Sequence, residues 1–232
     1  MAGTKTGFNW TIYPLEDKVD EIVIRREGVW QKIRDYARLQ SEVAGFMYGV
    51  VHNQSLLIVG MSAYWVGSRT QVSLEDNCLQ TKHNEFMRQA KEAVPSLTAV
   101  FYHNHPLVPL DEFDVDSLEN LKQDFEMGLY DYLRDYGLEP TLQHAIAEQS
   151  RHLSADDLET IGSNGFGRYT ILLSNTPWGN EFGPMNAYFI VDGLFDKKLK
   201  VTALEEKPQQ TQESLETIAK SLDEIHGALP IL

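Results

Sequence analysis

Two histidines separated by one residue are the side chains in this sequence best suited to metal chemistry. His103 and His105 stand in the segment Phe-Tyr-His-Asn-His-Pro, at the end of an apolar run that is typical of a buried strand. Residues two apart on a strand project from the same face, so both imidazoles can bind one cation while Asn104 points the opposite way. A catalytic zinc takes three protein ligands and keeps one position for water. A His-x-His pair alone is more often incidental, so the prediction of a Zn²⁺ site with one further ligand depends on a second segment upstream.

An upstream segment adds a candidate general base. Residues 41–49, Ser-Glu-Val-Ala-Gly-Phe-Met-Tyr-Gly, follow a predicted first helix. Glu42, the two glycines and the later His-x-His-Pro resemble the signature of the JAMM (MPN⁺/JAB, Mov34/MPN) zinc metalloproteases in order, spacing and predicted secondary structure, over about residues 21–204. The resemblance implies that His103, His105 and an aspartate hold the zinc. It also implies that Glu42 acts as general base on the zinc-bound water.

Two aspartates compete for the third ligand position. In the family, His-x-His-Pro is followed by Ser-x-x-Asp, and that spacing in this chain points to Asp116, with Phe113 where the serine should stand. A loop two residues shorter would instead use Asp114, with Asp111 in the serine position. Asp111 is a better helix N-cap than Phe113, and Asp114 would share the apolar face of the helix. Asp116 and Asp114 therefore both stay open.

The absent serine affects the expected chemistry. In the family this serine is thought to stabilise the oxyanion of the tetrahedral intermediate. An ionised Asp111 would repel that negative charge. Either Asp111 is protonated, another donor such as Asn104 or a backbone N–H replaces the serine, or turnover is slow.

Helices that alternate with strands predict the α/β (α+β) class. The resemblance implies an MPN/JAB-type (cytidine-deaminase-like) mixed β-sheet flanked by helices, with a helical insertion. Residues 1–20 form a lead-in, 21–204 the metalloprotease domain with its insertion at about 128–167, and 205–232 a polar tail that is either a docking helix or solvated. The predicted strands cover 21–25, 43–51, 55–61, 97–102, 168–173, 185–191 and 199–204, and the main predicted helices cover 28–40, 79–93 and 114–136. A further predicted helix opens with a cap-like Ser-Ala-Asp-Asp at 154–157.

Composition excludes several other functions. The net charge of −14 disfavours nucleic acid as a partner, because phosphate binding relies on clustered Lys and Arg. No apolar run is long enough for a membrane span, and the first residues lack the apolar core of a secretory signal. A single cysteine, Cys78, excludes an intrachain disulfide framework. These features predict a cytoplasmic protein, while the oligomeric state stays open. His83, on a predicted helix, is expected at the surface.

The resemblance implies a metallo-isopeptidase whose partner is ubiquitin, a ubiquitin-like protein or its conjugate. The extended C-terminal tail of that partner would add as a strand beside the active site. Two alternatives remain open: a non-catalytic MPN scaffold that binds a partner protein, and a hydrolase of small peptides or sulfur-carrier adducts.

Overall fold

The computed structural model describes residues 15, 18–67, 77–106, 115–124, 131, 141–142, 150, 152–174, 185–191, 194–203 and 216–224. Its strands are β1 (Glu21–Ile24), β2 (Val43–His52), β3 (Ser55–Val66), β4 (Leu97–His105), β5 (Tyr169–Ser174), β6 (Met185–Val191) and β7 (Leu194–Ala203). Its helices are α1 (Glu27–Ala37), α2 (Asn77–Ala93), α3 (Val115–Asp124), α4 (Ala155–Asn164) and α5 (216–224). None of the described helices is long and apolar enough to cross a membrane.

The strands close into one barrel in the order β1-β3-β2-β4-β5-β6-β7. β1 is parallel to both β3 and β7, and β4 is parallel to β5, whereas the remaining pairs are antiparallel. The predicted α/β fold, an MPN/JAB-type mixed sheet flanked by helices, is therefore wrong. Closure depends on the pairing of β1 near the start of the chain with β7 near its end. Local periodicity carries no signal for that pairing, because it involves residues about 180 positions apart.

Each of these strands was expected from the sequence, but several bounds differ. β2 and β6 agree with prediction within a residue, whereas β7 begins five residues earlier and β3 runs five residues further. β4 extends to His105, so both histidines lie within the strand rather than after it. The helix expected over 114–136 is confirmed over Val115–Asp124, and residues 125–130 and 132–136 lie outside the described residues.

The barrel buries apolar side chains on both faces. The interior core takes residues from all seven strands, and α1 packs into it through Val29, Ile33 and Ala37. The outer core lies mainly on β2, β3 and β4 and is covered by α2, α4 and α5. Within the tail, residues 216–224 form a docking helix, since Ala219 and Leu222 of α5 are buried in the outer core.

Two glycines let β2 approach β3 more closely than a side chain would allow. The β2–β3 register shifts beside Gly45 and again beside Gly49. A Cβ atom on Gly45 would lie 1.9 Å from the carbonyl oxygen of Ser62, and one on Gly49 would lie 2.7 Å from that of Leu57. Because both obstacles are backbone atoms, no rotamer change can relieve the overlap. At both shifts the extra residue is on β3, whereas β2 keeps a continuous register with β4 next to the segment that carries Glu42.

We expect Gly45→Ala to lower the free energy of unfolding by about 3 kcal/mol, at the upper end of the usual range for single substitutions. The matched control is Gly162→Ala on α4, where a Cβ atom meets nothing within 4 Å. Alanine should stabilise that helix by up to about 1 kcal/mol. Urea unfolding measures both variants, and a Gly45→Ala protein as stable as the parent would contradict the close approach of β2 and β3.

Candidate metal centre

The two histidines project from the same face of β4, as their spacing predicted, and this is the outer face of the barrel. Val100 and Tyr102 belong to the interior core, whereas Phe101 belongs to the outer one. The side chains of His103 and His105 follow the orientation of Phe101, and their Nε2 atoms lie 3.1 Å apart. The ring of Phe101 stacks on that of His103 with 5.8 Å between centroids. This apolar support limits the orientations that His103 can adopt.

Asp157, at the start of α4, completes a group of three ligand side chains. His103 Nε2 lies 3.1 Å from Asp157 Oδ1, and His105 Nε2 lies 3.2 Å from Asp157 Oδ2. Two ligands of a tetrahedral zinc are about 3.3 Å apart when the metal–nitrogen bonds are about 2.0–2.1 Å long. The separations in this group are close to that value, so His103, His105 and Asp157 could hold a metal ion.

A capping box holds the Asp157 carboxylate in place. The backbone N–H and hydroxyl of Ser154 both donate to Asp157 Oδ2, at 2.6 Å and 2.7 Å, and the Asp157 N–H donates to Ser154 Oγ at 3.1 Å. The predicted helix cap at this position is thereby confirmed. At the other end of α4, Phe166 stacks on Phe101 with 4.4 Å between centroids. The helix is thus packed against the ring that supports His103.

The structure brings Asp157, and not Asp116, to the histidine pair. Asp116 is exposed on α3 and is not part of the cluster, and Asp114 lies outside the described residues. Residues 154–157 have the sequence Ser-Ala-Asp-Asp, which matches the Ser-x-x-Asp element sought at 111–116. Sequence reasoning used this segment only as a helix cap, because it lies far beyond the expected ten-residue spacing. A search for Ser-x-x-Asp at any distance downstream would have found it.

Burial and hydrogen bonding favour the metal-binding protonation states of His103 and Asp157. Burial lowers the pKa of His103, and its hydrogen bond to Asp157 compensates only in part, so the imidazole is neutral at pH 7. Burial alone would raise the pKa of Asp157, but the hydrogen bonds from His103 and His105 outweigh it and hold the pKa well below its usual range. Neutral imidazoles and an ionised carboxylate are the forms that coordinate zinc.

The lowered pKa of His103 predicts that the metal-free protein loses stability as the pH falls. Below about pH 6.5, the ordinary pKa of a histidine, His103 binds a proton in the unfolded chain but stays neutral in the folded one. The free energy of unfolding should fall by at most about 1.4 kcal/mol per pH unit, until the pH reaches the pKa of His103 in the folded protein. Urea unfolding with a chelator at pH 7.5, 6.5 and 5.5 measures it. His103→Gln should flatten this dependence on pH, whereas His52→Gln, at the exposed end of β2, should retain it. An equal slope in both variants would contradict the assignment to His103.

The strand register places Glu42 on the same sheet face as the histidines. Ala44 lies opposite His103 in the β2–β4 pair. Strand alternation, continued back two residues, puts Glu42 on that face at the level of His105. The side chain of Glu42 is partly buried, and its carbonyl oxygen accepts a hydrogen bond from the N–H of Gly67 at 2.8 Å. Glu42 therefore stands beside the cluster without being one of its ligands.

Asn104 anchors the segment that carries Glu42. Its buried amide Nδ2 donates to the carbonyl oxygens of Tyr36 at 3.0 Å and Ser41 at 3.2 Å, and its Oδ1 accepts from the N–H of Val43. Both chain neighbours of Glu42 are thus bonded to the residue between the two histidines. Because the Asn104 side chain faces the interior, it does not provide the oxyanion donor considered above.

His83 is buried, so its expected position at the surface is wrong. Its ring centroid lies 4.5 Å from that of Phe46 in the outer core. The face of α2 that carries His83 also carries Phe86, Met87 and Ala90, and this face packs on the barrel. The prediction was wrong because it relied on the polarity of histidine and did not identify the face of α2 that packs on the barrel.

Comparisons with known proteins identify no family. No family model matches the sequence, and no curated protein matches it. A solved structure that resembles this one is the solution structure of protein DSY2949 from Desulfitobacterium hafniense, with a TM-score of 0.43 and 12% sequence identity. The match covers 82% of this chain and 97% of that one. A similarity this low assigns neither a family nor a function.

Proposed function

We propose that this protein is a zinc-dependent hydrolase of amide bonds, with His103, His105 and Asp157 as ligands and Glu42 as general base. The convergence of two imidazoles and one carboxylate on a single point carries this proposal. Two histidines and one carboxylate, with a fourth position left for water, form a ligand set that catalytic zinc uses for peptide hydrolysis. Thiolates, which mark structural zinc sites, do not occur in the cluster.

Zinc bound at this cluster would acidify a water molecule and polarise the scissile carbonyl. Glu42 would accept a proton from the attacking water and deliver it to the departing amine. The hydroxyl of Ser154 lies at the edge of the cluster and donates its single proton to Asp157. It would serve as the oxyanion donor if that proton turned from Asp157 to the tetrahedral intermediate.

A narrower proposal concerns the substrate and rests on the motif resemblance. The bond cleaved would be an isopeptide or peptide bond at the C-terminal tail of ubiquitin or a ubiquitin-like protein. β4 already has β2 on one side and β5 on the other, so a tail cannot pair with the backbone of the ligand-bearing strand. The tail would have to reach the metal from the outer face, held by side chains or by pairing elsewhere.

Metal analysis and cleavage assays test this function together. Protein purified without chelator should carry about one zinc per chain, and chelation should remove activity that added zinc restores. A fluorogenic amide at the C-terminus of ubiquitin, compared with a short peptide amide, tests the substrate class. Zinc content below about 0.2 per chain that does not rise on adding zinc would disprove the metal site. Bound zinc without cleavage of either substrate would favour the scaffold alternative.

A further inference from the structure

Two buried polar residues lie on the same sheet face as the metal cluster, on the side away from Glu42. Ser174 lies opposite His105 in the β4–β5 register, and Leu172 lies opposite His103. Across the next pair, Asn186 of β6 lies opposite Leu172. Residues opposite one another in neighbouring strands project from the same face of a sheet.

The alternation of the cores confirms this orientation. Ile171 and Leu173 belong to the interior core, so Ser174 is directed to the outer face. Met185 and Ala187 also belong to the interior core, so Asn186 between them is directed outward. Ser174 of β5 is therefore the neighbour of His105 on one side. On the other side, the register places Glu42, the residue before β2, at the level of His105.

Neither polar group has a hydrogen-bond partner within the part of the chain that the structure describes. Ser174 is 0% exposed and Asn186 is 1% exposed. The hydroxyl of Ser174 and the amide nitrogen of Asn186 are both buried without a partner. Thr170, on the same strand and face as Ser174, is equally buried, but its hydroxyl donates to the carbonyl oxygen of Phe101 at 3.3 Å.

Unpaired buried donors cost free energy in the folded protein, so native structures contain few of them. Apolar residues of similar size would remove that cost at both positions. Two such donors on the sheet face that carries a metal cluster, one of them directly opposite His105, are instead typical of a binding site, where the hydrogen-bond partner belongs to the ligand. The Ser174 hydroxyl and the Asn186 NH₂ group both suit a carbonyl or carboxylate oxygen as acceptor.

We propose that Ser174 and Asn186 form a subsite that binds a carbonyl oxygen of an amide substrate next to the metal cluster. This inference rests on the proposed function and adds the residues that orient its substrate. Glu42 and the Ser174–Asn186 pair would flank the ligand-bearing strand from opposite sides. A substrate held there would present its scissile bond between the base and the two donors.

The test uses the full-length protein loaded with Co²⁺ and titrated with acetohydroxamate, a metal-binding amide analogue, followed by visible absorption. Ser174→Ala and Asn186→Leu should each weaken acetohydroxamate binding about tenfold, the usual effect of one lost hydrogen bond. Both should leave the melting temperature unchanged or raise it, because each removes an unpaired buried donor. Thr170→Val, the matched control, should lower the melting temperature and leave acetohydroxamate affinity unchanged.

Unchanged acetohydroxamate affinity in both variants, with Co²⁺ bound, would overturn the subsite. A lower melting temperature in both variants would also overturn it, because it would assign the two residues to the structure of the barrel. Failure of the parent protein to bind Co²⁺ would instead refute the proposed function. That outcome appears in the metal titration before any acetohydroxamate is added.

Discussion

Glu42→Gln is expected to reduce amide hydrolysis by about 10²–10⁴-fold, the usual contribution of a general base, while leaving the zinc content unchanged. The substitution keeps the size of the side chain and its capacity for hydrogen bonds but removes its ability to take a proton. Glu42 is not one of the three clustered ligands, so the metal should remain bound. Steady-state cleavage and metal analysis on the same preparation measure both properties.

The control is Glu159→Gln, which neutralises an exposed carboxylate on α4. It should retain full activity, because Glu159 is exposed on α4, about 200° around the helix from Asp157, where solvent screens its charge. Full activity in Glu42→Gln would exclude Glu42 as the base. Loss of zinc from Glu42→Gln would assign Glu42 to the metal ligands instead.

The second large effect is expected for Asp157→Asn, which should weaken zinc binding by more than about 100-fold. Removing only an outer hydrogen-bond partner of a ligand typically costs about 10–100-fold in metal affinity, and Asp157 is placed to bind the metal directly. Asparagine can still accept the hydrogen bonds from Ser154, so the N-terminus of α4 should stay capped. Competition with a chromogenic chelator measures the affinity.

Two further variants separate metal binding from helix capping. Ser154→Ala removes the N-cap side chain and one hydrogen bond to the Asp157 carboxylate. It should lower the free energy of unfolding by about 1 kcal/mol and weaken zinc binding by about 10–100-fold, less than Asp157→Asn. Asp116→Asn tests the position favoured by the motif spacing, and its zinc affinity should equal that of the parent. Tight zinc binding by Asp157→Asn, together with weak binding by Asp116→Asn, would restore Asp116 as the third ligand.

Apolar contacts of α4 explain why the substitution at Asp157 should not unfold the protein. Its carboxylate is partly buried and bonded to the start of α4, while the helix is held by Ile161 and by Phe166 in the outer core. These apolar contacts do not depend on the charge at position 157. The expected result is therefore a folded protein that has lost its metal.

The sequence by itself determined the local parts of the site. The alternation of β4 set His103 and His105 on one face and Asn104 on the other, since side-chain direction within a strand follows from backbone geometry alone. The cap at 154–157 was predictable for the same reason, because Ser154 and Asp157 bond within one helical turn. The strands around the cluster were also found from their own apolar patterns.

Only the tertiary structure decided which of these elements meet. The closure of the barrel through β1 and β7, the arrival of Asp157 rather than Asp116, and the position of Ser174 beside His105 all join distant parts of the chain. The burial of His83 likewise depends on which face of α2 packs on the barrel. The hydrophobic periodicity of a segment indicates which of its faces is buried, but not which other segments pack against that face. The neighbours follow from how the apolar faces pack together, and that packing places Asp157 against the two histidines.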